Sequence, residues 1–286
     1  MLVNACPPGP TLCSVLAAGA PGSRKWSQFG TTFGQNTGSG ISNYNAVNVE
    51  ASRHFSNGIL LDANYSFSKL LALQYIATNP VVSPNWQYDY GPASQQPYQV
   101  FHFNHVYELP FGHGKKFGAN MSAVADTLVG GWKISGVGTW QGGQQLTVLA
   151  GTGNSPTGAT SNRANRTCSG SISQKTLGEW FDTSCYSVPA LINPSAPSPT
   201  QQFGTAGIGT VIGPRWFSYD ANVQKPFRFH DRVSLTLRID AINVFNHPNY
   251  ATPDVTVSDG AVFGQIRAAS TNYIPRAFQF SGRLEF

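Results

Sequence analysis

The side chains with most chemistry to offer are six histidines, four cysteines and a sparse set of acids and bases. His102 and His105 are the closest histidine pair. On a strand an offset of three sends side chains to opposite faces, so the two cannot share one metal ion and read as structural or interfacial. The cysteines fall into two pairs, Cys6 with Cys13 and Cys168 with Cys185, each within a Gly/Pro/Ser/Thr-rich stretch. Neither pair has the short Cys-x2-4-Cys hook of a zinc site. In an oxidising compartment both are disulfide candidates that would staple long loops; reduced, idle cysteines are the alternative for the first pair. Gly151-Thr152-Gly153 through Gly158 imitates a phosphate loop, but the Gly-Lys-Ser/Thr ending and a following helical pattern are missing, so it reads as a flexible external loop. No nucleophile, base and orienting acid fall into a recognisable motif. The expectation is therefore a non-enzyme without metal or cofactor.

What remains is charge at alternating positions. Arg238 and Asp240 sit two apart on one polar face, with Glu108, Arg283 and Glu285 on other segments, which makes a candidate lumenal charge network. Such a network presupposes strands with one wet face, and composition points that way. Charged residues are only 11% of the chain, against about 25% in an average soluble domain. Aromatic residues reach 12%, and there are 30 glycines. The net charge of +5 comes from scattered basic residues with no stripe, so no nucleic-acid partner is expected. No apolar run approaches the ~18 residues of a helical membrane span. Strands of a membrane barrel need no such run, because their two faces average out in hydropathy.

Period-two alternation recurs through the chain. Val47, Val49, Ala51 and Phe55 oppose Asn48, Glu50, Ser52 and His54, with Arg53 out of place on the apolar face. Ser56-Asn57-Gly58 then predicts a tight hairpin into Leu61, Ala63, Tyr65 and Phe67. Further strands are predicted over 101–109, from Trp132 to about Val148, over 217–224 up to a turn from Pro226 to Asp231, over 233–241 and over 278–286. Trp26 to Phe33 is a candidate eighth. Short links alternate with long ones at about 70–98, 149–215 and 247–275. Outer-membrane barrels sort their connections in this way, with short turns in the periplasm and long loops outside. The polar faces favour Asn, Ser, Thr and Gln rather than the Lys and Glu of a soluble sandwich surface.

Several strings carry a family likeness. Ser42-Asn43-Tyr44-Asn45-Ala46 leads into Arg53-His54-Phe55-Ser56-Asn57-Gly58 and Tyr65-Ser66-Phe67-Ser68-Lys69. Val106-Tyr107-Glu108-Leu109-Pro110-Phe111-Gly112, Gly130-Gly131-Trp132-Lys133-Ile134-Ser135-Gly136 and Asn243-Val244-Phe245-Asn246-His247-Pro248-Asn249 follow in order. Together with Pro275-Arg276 to Phe286, they resemble the barrel of TonB-dependent transporters of the Oar-like, carboxypeptidase-regulatory-domain type. That resemblance implies a barrel of about twenty-two strands in the bacterial outer membrane, holding a plug and energised through TonB. It also implies that Phe278, Phe280, Leu284 and Phe286 form the closing signal read by the barrel assembly machinery.

The chain is accordingly expected to be all-β: a partial antiparallel transmembrane barrel of about seven or eight strands, lacking plug domain and TonB box. Residues 1–40 are a loop with a possible first strand, and 41–286 the C-terminal barrel segment. Met1 to Ala20 lacks a basic n-region and is interrupted by Pro7, Pro8 and Pro10, so the expected N-terminus lies upstream. Outer-membrane lipid, the assembly machinery, plug, TonB and an unknown ligand are the expected partners. Two other readings stay open: a structural or adhesion barrel, and a secreted carbohydrate-binding β-sandwich that exposes Trp180, Phe181 and Tyr186.

Overall fold

The computed structural model describes residues 2–3, 32–33, 41–73, 86–94, 96–151, 162–192, 194–195, 201–229 and 233–286. Seven long strands make one antiparallel sheet: β1 (Ser42–Ser56), β2 (Ile59–Leu73), β3 (Gln99–Glu108), β4 (Lys133–Gln141), β5 (Trp216–Arg228), β6 (Ser234–Ile242) and β7 (Ala277–Glu285). Their spatial order is their chain order, so the sheet is an up-and-down meander. The three-residue strand Tyr90–Pro92 adds to the outer end of β2. Thr32–Phe33 pairs with Leu2–Val3, apart from this sheet. The rest of the candidate strand from Trp26 lies outside the described residues.

Local sequence explains the first hairpin. Asn57 and Gly58 take φ of 52° and 79°, the left-handed pair that a two-residue turn between twisted strands requires. From there the register aligns like with like. One row across the sheet reads Val49, Tyr65, Phe101, Trp140 and Phe217. The adjacent row on the opposite face reads Glu50, Asn64, His102, Thr139 and Ser218. A shift by one residue would exchange these faces, so the pattern pins the register.

Along the body of the sheet the apolar face has no protein layer over it; the link between β3 and β4 covers it at the short-turn rim, over Lys225. Val47 is 62% exposed, Phe278 60% and Phe280 74%, and among the described residues none of the buried apolar side chains belongs to the seven strands. A soluble sandwich would bury this face against a second sheet. Rings pack against one another within the apolar face. Phe103, His105 and Tyr219 stack, with ring centroids 5.7–6.3 Å apart. They lie over Gly136 and Gly138 of β4: a Cβ at Gly136 would fall 2.5 Å from the Tyr219 hydroxyl, and one at Gly138 would overlap the Phe103 ring.

Connections sort by end. The ends of β1 and β2, β3 and β4, and β5 and β6 that are joined by a link meet at one rim, while those of β2 and β3, β4 and β5, and β6 and β7 meet at the other. The link between β3 and β4 carries the short helix α1 (Ala123–Val129), capped by Ser122, whose Oγ accepts from Ala125 N. Several boundaries differ from the sequence reading: β1 begins at Ser42 rather than Val47, and β2 runs on past Phe67 to Leu73. The fourth strand stops at Gln141 and not near Val148: Gly142 N still donates to Gln99 O at 2.8 Å, but Gly143 packs against the Gly213 carbonyl and Gln145–Leu146 pairs with Val211–Ile212. The fifth does not end before Pro226 but runs on to Arg228. Pro226 lies past the last β4 pair, Gln224 with Lys133, so its missing N–H costs that neighbour nothing.

Gly138→Val is expected to displace the Phe103 ring and destabilise the sheet by about 1–3 kcal/mol. Urea unfolding of the reconstituted chain, followed by loss of the compact unheated band on a denaturing gel, measures it. An unchanged midpoint would show that the ring does not depend on the glycine.

Candidate functional site

A functional site in this fold has two parts, the polar face of the sheet and the loop structure above it. Strand register builds the polar wall. Beside the row running from Glu50 to Ser218, a lower row reads Glu108, Lys133, Gln224, Arg238 and Ser281. Neighbours bond across strands: Ser66 Oγ donates to Asn48 Oδ1 at 2.6 Å, and Ser135 Oγ to Asn222 Oδ1 at 3.1 Å. His102 Nδ1 lies 3.0 Å from Thr139 Oγ1 on this face, whereas His105 Nε2 lies 3.4 Å from the Tyr219 hydroxyl on the other. Such a surface is a wall of donors and acceptors with few net charges.

The expected charge network resolves into three separate groups, one triad and two pairs. Glu108 binds Lys133 at 2.6 Å and Lys115 at 3.5 Å. Arg238 grips Asp240 with Nε and Nη2 at 2.5–3.0 Å, and Arg283 meets Glu285 at 2.9 Å. Glu108 and Arg238 share a row but stand three strands apart, about 14 Å at the usual spacing, too far for contact. Phe278, Phe280 and Leu284 sit on the apolar face opposite Ala241, Ile239 and Leu235, and Phe286 follows the strand at 97% exposure.

Above the long-loop rim the chain builds a core of its own. Val148, Ala164, Phe181, Cys185, Tyr186, Ala206 and Val211 pack together, with Trp180, Val255 and Phe263 against them. Phe181, Tyr186 and Phe263 meet edge to face at 5.3–6.3 Å. Cys168 and Cys185 form a disulfide across a separation of 17 residues. Cys6, Cys13 and most of the glycine-rich run after Gly151 lie outside the described residues. The sandwich reading needed Phe181 and Tyr186 as exposed sugar platforms. They are buried, at 2% and 6% exposure, because they form the centre of this cap.

A polar knot ties three segments of the cap together. The Arg163 guanidinium lies 3.4 Å from the Tyr88 ring centre, donates to Tyr88 O at 2.6 Å and stands 3.6 Å from Asp89 Oδ1. Burial lowers the Arg163 pKa, and Tyr88 and Asp89 work against that shift. Burial likewise raises the Tyr88 hydroxyl, which donates to Gly204 O. Asn162 Nδ2 donates to Gln202 O at 2.7 Å and to Gln201 Oε1 at 3.3 Å. No sequence pattern announced this knot, since Asp89 and Arg163 are far apart in the chain and sit in irregular segments.

Two asparagines anchor the cap to the strands. Asn249 Oδ1 accepts from Phe217 N, and its Nδ2 donates to Phe217 O, both at 2.8 Å, as a strand neighbour would. Asn243, at φ 49°, accepts from His247 N and donates to Ile274 O, folding the corner Asn243 to Asn249. This string was legible as a resemblance, but its mechanical role was not.

A meander with an uncovered apolar face, a polar opposite face and connections sorted by rim defines an outer-membrane β-barrel protein. The sequence matches the model of the outer membrane beta barrel domain family over residues 3–279, and the chain belongs to that family. Its place is the bacterial outer membrane. No curated protein matches the sequence.

Breaking the disulfide with Cys185→Ser, paired with Cys168→Ser, is expected to cost the cap about 3 kcal/mol through lost loop restraint. Amide exchange should rise across 162–192 and remain unchanged in β2 to β6. Equal protection in both proteins would show that the cap does not need the bridge.

Proposed function

We propose that the chain is the barrel portion of a TonB-dependent transporter that binds a ligand at its surface cap and passes it along a hydrated wall. The observation that carries this reading is the cap. Buried aromatics, a disulfide and a buried Arg–Asp pair make the long loops a preformed surface, which lowers the ordering cost of binding. Below it, the polar face offers asparagine, serine, threonine and histidine side chains along the strands, suited to brief contacts with a polar solute. The strings quoted above supply the TonB-dependent part of the proposal. The work is binding and translocation rather than catalysis.

In this reading β1 and β7, which are not paired with each other among the described residues, take further strands as neighbours. Lipid meets the apolar face, and a plug linked to TonB faces the polar one. The strand ending at Phe286 is offered to the assembly machinery as a pairing edge. One observation favours a second reading, a structural or adhesive barrel: the cap is stapled and packed in the manner of a fixed surface rather than of a moving gate.

Depletion of solutes from a chemically defined medium tests the proposal in the producing cell, with and without the intact gene. The expected result is at least one solute removed faster when the gene is present, with the difference abolished by a protonophore and by loss of TonB. A gene-dependent change in surface attachment, with identical solute depletion, would replace import with adhesion.

A further inference from the structure

The link between β3 and β4 is more elaborate than a turn needs to be. Phe111 and Phe117 face each other at 5.6 Å, held by a hydrogen bond from Gly112 N to Phe117 O at 3.0 Å. The chain then forms α1 and returns through Gly130 to β4. Asp126 turns inward and accepts from His113 N at 2.6 Å. Val124 and Leu128, one turn apart on the same side of α1, point outward and are 73% and 64% exposed, and Val129 is exposed beside them.

Lys225 shows which side of the sheet this link covers. It stands in a row with Leu237 and Gly282, and alternation places it on the same face as Val223 and Phe227, the apolar one. It is nonetheless buried. Its Nζ donates to Gly130 O and lies 5.6 Å from the Trp132 ring centre and 5.2 Å from that of Phe227. The link therefore folds over the apolar face at the short-turn rim, where acyl chains give way to headgroups. Lys116 projects from the same link and lies 5.5 Å from the Phe117 ring centre, whereas Lys115 reaches Glu108 on the polar face at 3.5 Å. A cleft of about 480 Å³ between link and sheet adds Lys133 and Arg228 to Lys115 and Lys225, against Glu108 and Asp126.

We infer that this link is an interfacial anchor that holds anionic phospholipid of the periplasmic leaflet. Val124, Leu128 and Phe117 enter the acyl boundary, and Lys116 meets a headgroup phosphate. Neither half suffices by itself. An exposed apolar helix face in water is a cost, and lysines without an apolar footing bind lipid only by screened attraction. Together they match one occupant, a surface that is greasy beneath and negatively charged above. The short-turn rim is the periplasmic one in this family's geometry, which makes the inner-leaflet phospholipid the lipid in reach.

The test is native mass spectrometry of the whole chain released from vesicles of phosphatidylethanolamine and phosphatidylglycerol, counting retained phosphatidylglycerol. Lys116→Ala is expected to weaken retention roughly fivefold, and Lys116→Arg to preserve it. Val124→Ser with Leu128→Ser should lose retained lipid while the unheated band on a denaturing gel stays compact, as expected for a folded barrel. Equal retention in all variants overturns the proposal. So does a serine variant that changes the monomer-to-dimer ratio and leaves lipid unchanged, which would assign the face to a second copy of the chain.

Discussion

Within hydrocarbon every backbone N–H and C=O must find a partner inside the protein, and the rest of this structure depends on that constraint. A meander meets it economically. Each of β2 to β6 is paired on both sides by strands adjacent in sequence, so no crossover has to pass through the membrane. The same constraint explains why irregular backbone is confined to the rims. The ladder ends beyond Gly142 at the loop rim, and Pro226 appears where β4 has already stopped. It also gives the outer edges of β1 and β7 their importance, because a bare edge is intolerable in lipid and reactive toward another strand.

With the backbone satisfied, side chains are free to serve two solvents. The apolar face carries large residues with nothing packed on them, and its own cohesion comes from contacts within the face. Phe103, His105 and Tyr219 bridge β3 and β5 over two glycines of β4, which turns missing side chains into a seat for rings. On the polar face Glu108, Arg238 and Arg283 are each neutralised by a close neighbour. Paired charges keep that wall wet without adding to its net field.

The buried core lies where a soluble protein would have surface loops. Aromatics, the disulfide and the Arg163 knot gather above the sheet rather than within it. The physical reason is solvent: only outside the bilayer does burial from water drive packing, so the long loops are the part of this chain that folds as globular proteins do. At the opposite rim, the link carrying α1 combines both regimes, covering Lys225 while leaving Val124 and Leu128 open.

The sequence by itself determined the strands, their faces and their rims. Alternation has a period of two and is local, so Val49, Tyr65 and Phe101 could be placed on one face without any knowledge of their partners. Asn57-Gly58 and the alternating link lengths were equally direct. Strand ends were less legible: a fourth strand drawn to Val148 overlooked two glycines, and a fifth stopped at Pro226 overlooked the shorter neighbour. Only the tertiary structure decided the cap and the covered lysine. Phe181 and Tyr186 read as exposed platforms because irregular segments carry no period, and contacts such as Asp89 with Arg163 join residues that no local pattern relates. Lys225 was invisible for the same reason, since a lysine on an apolar face acquires its meaning from Gly130, Trp132 and Phe227 folding over it.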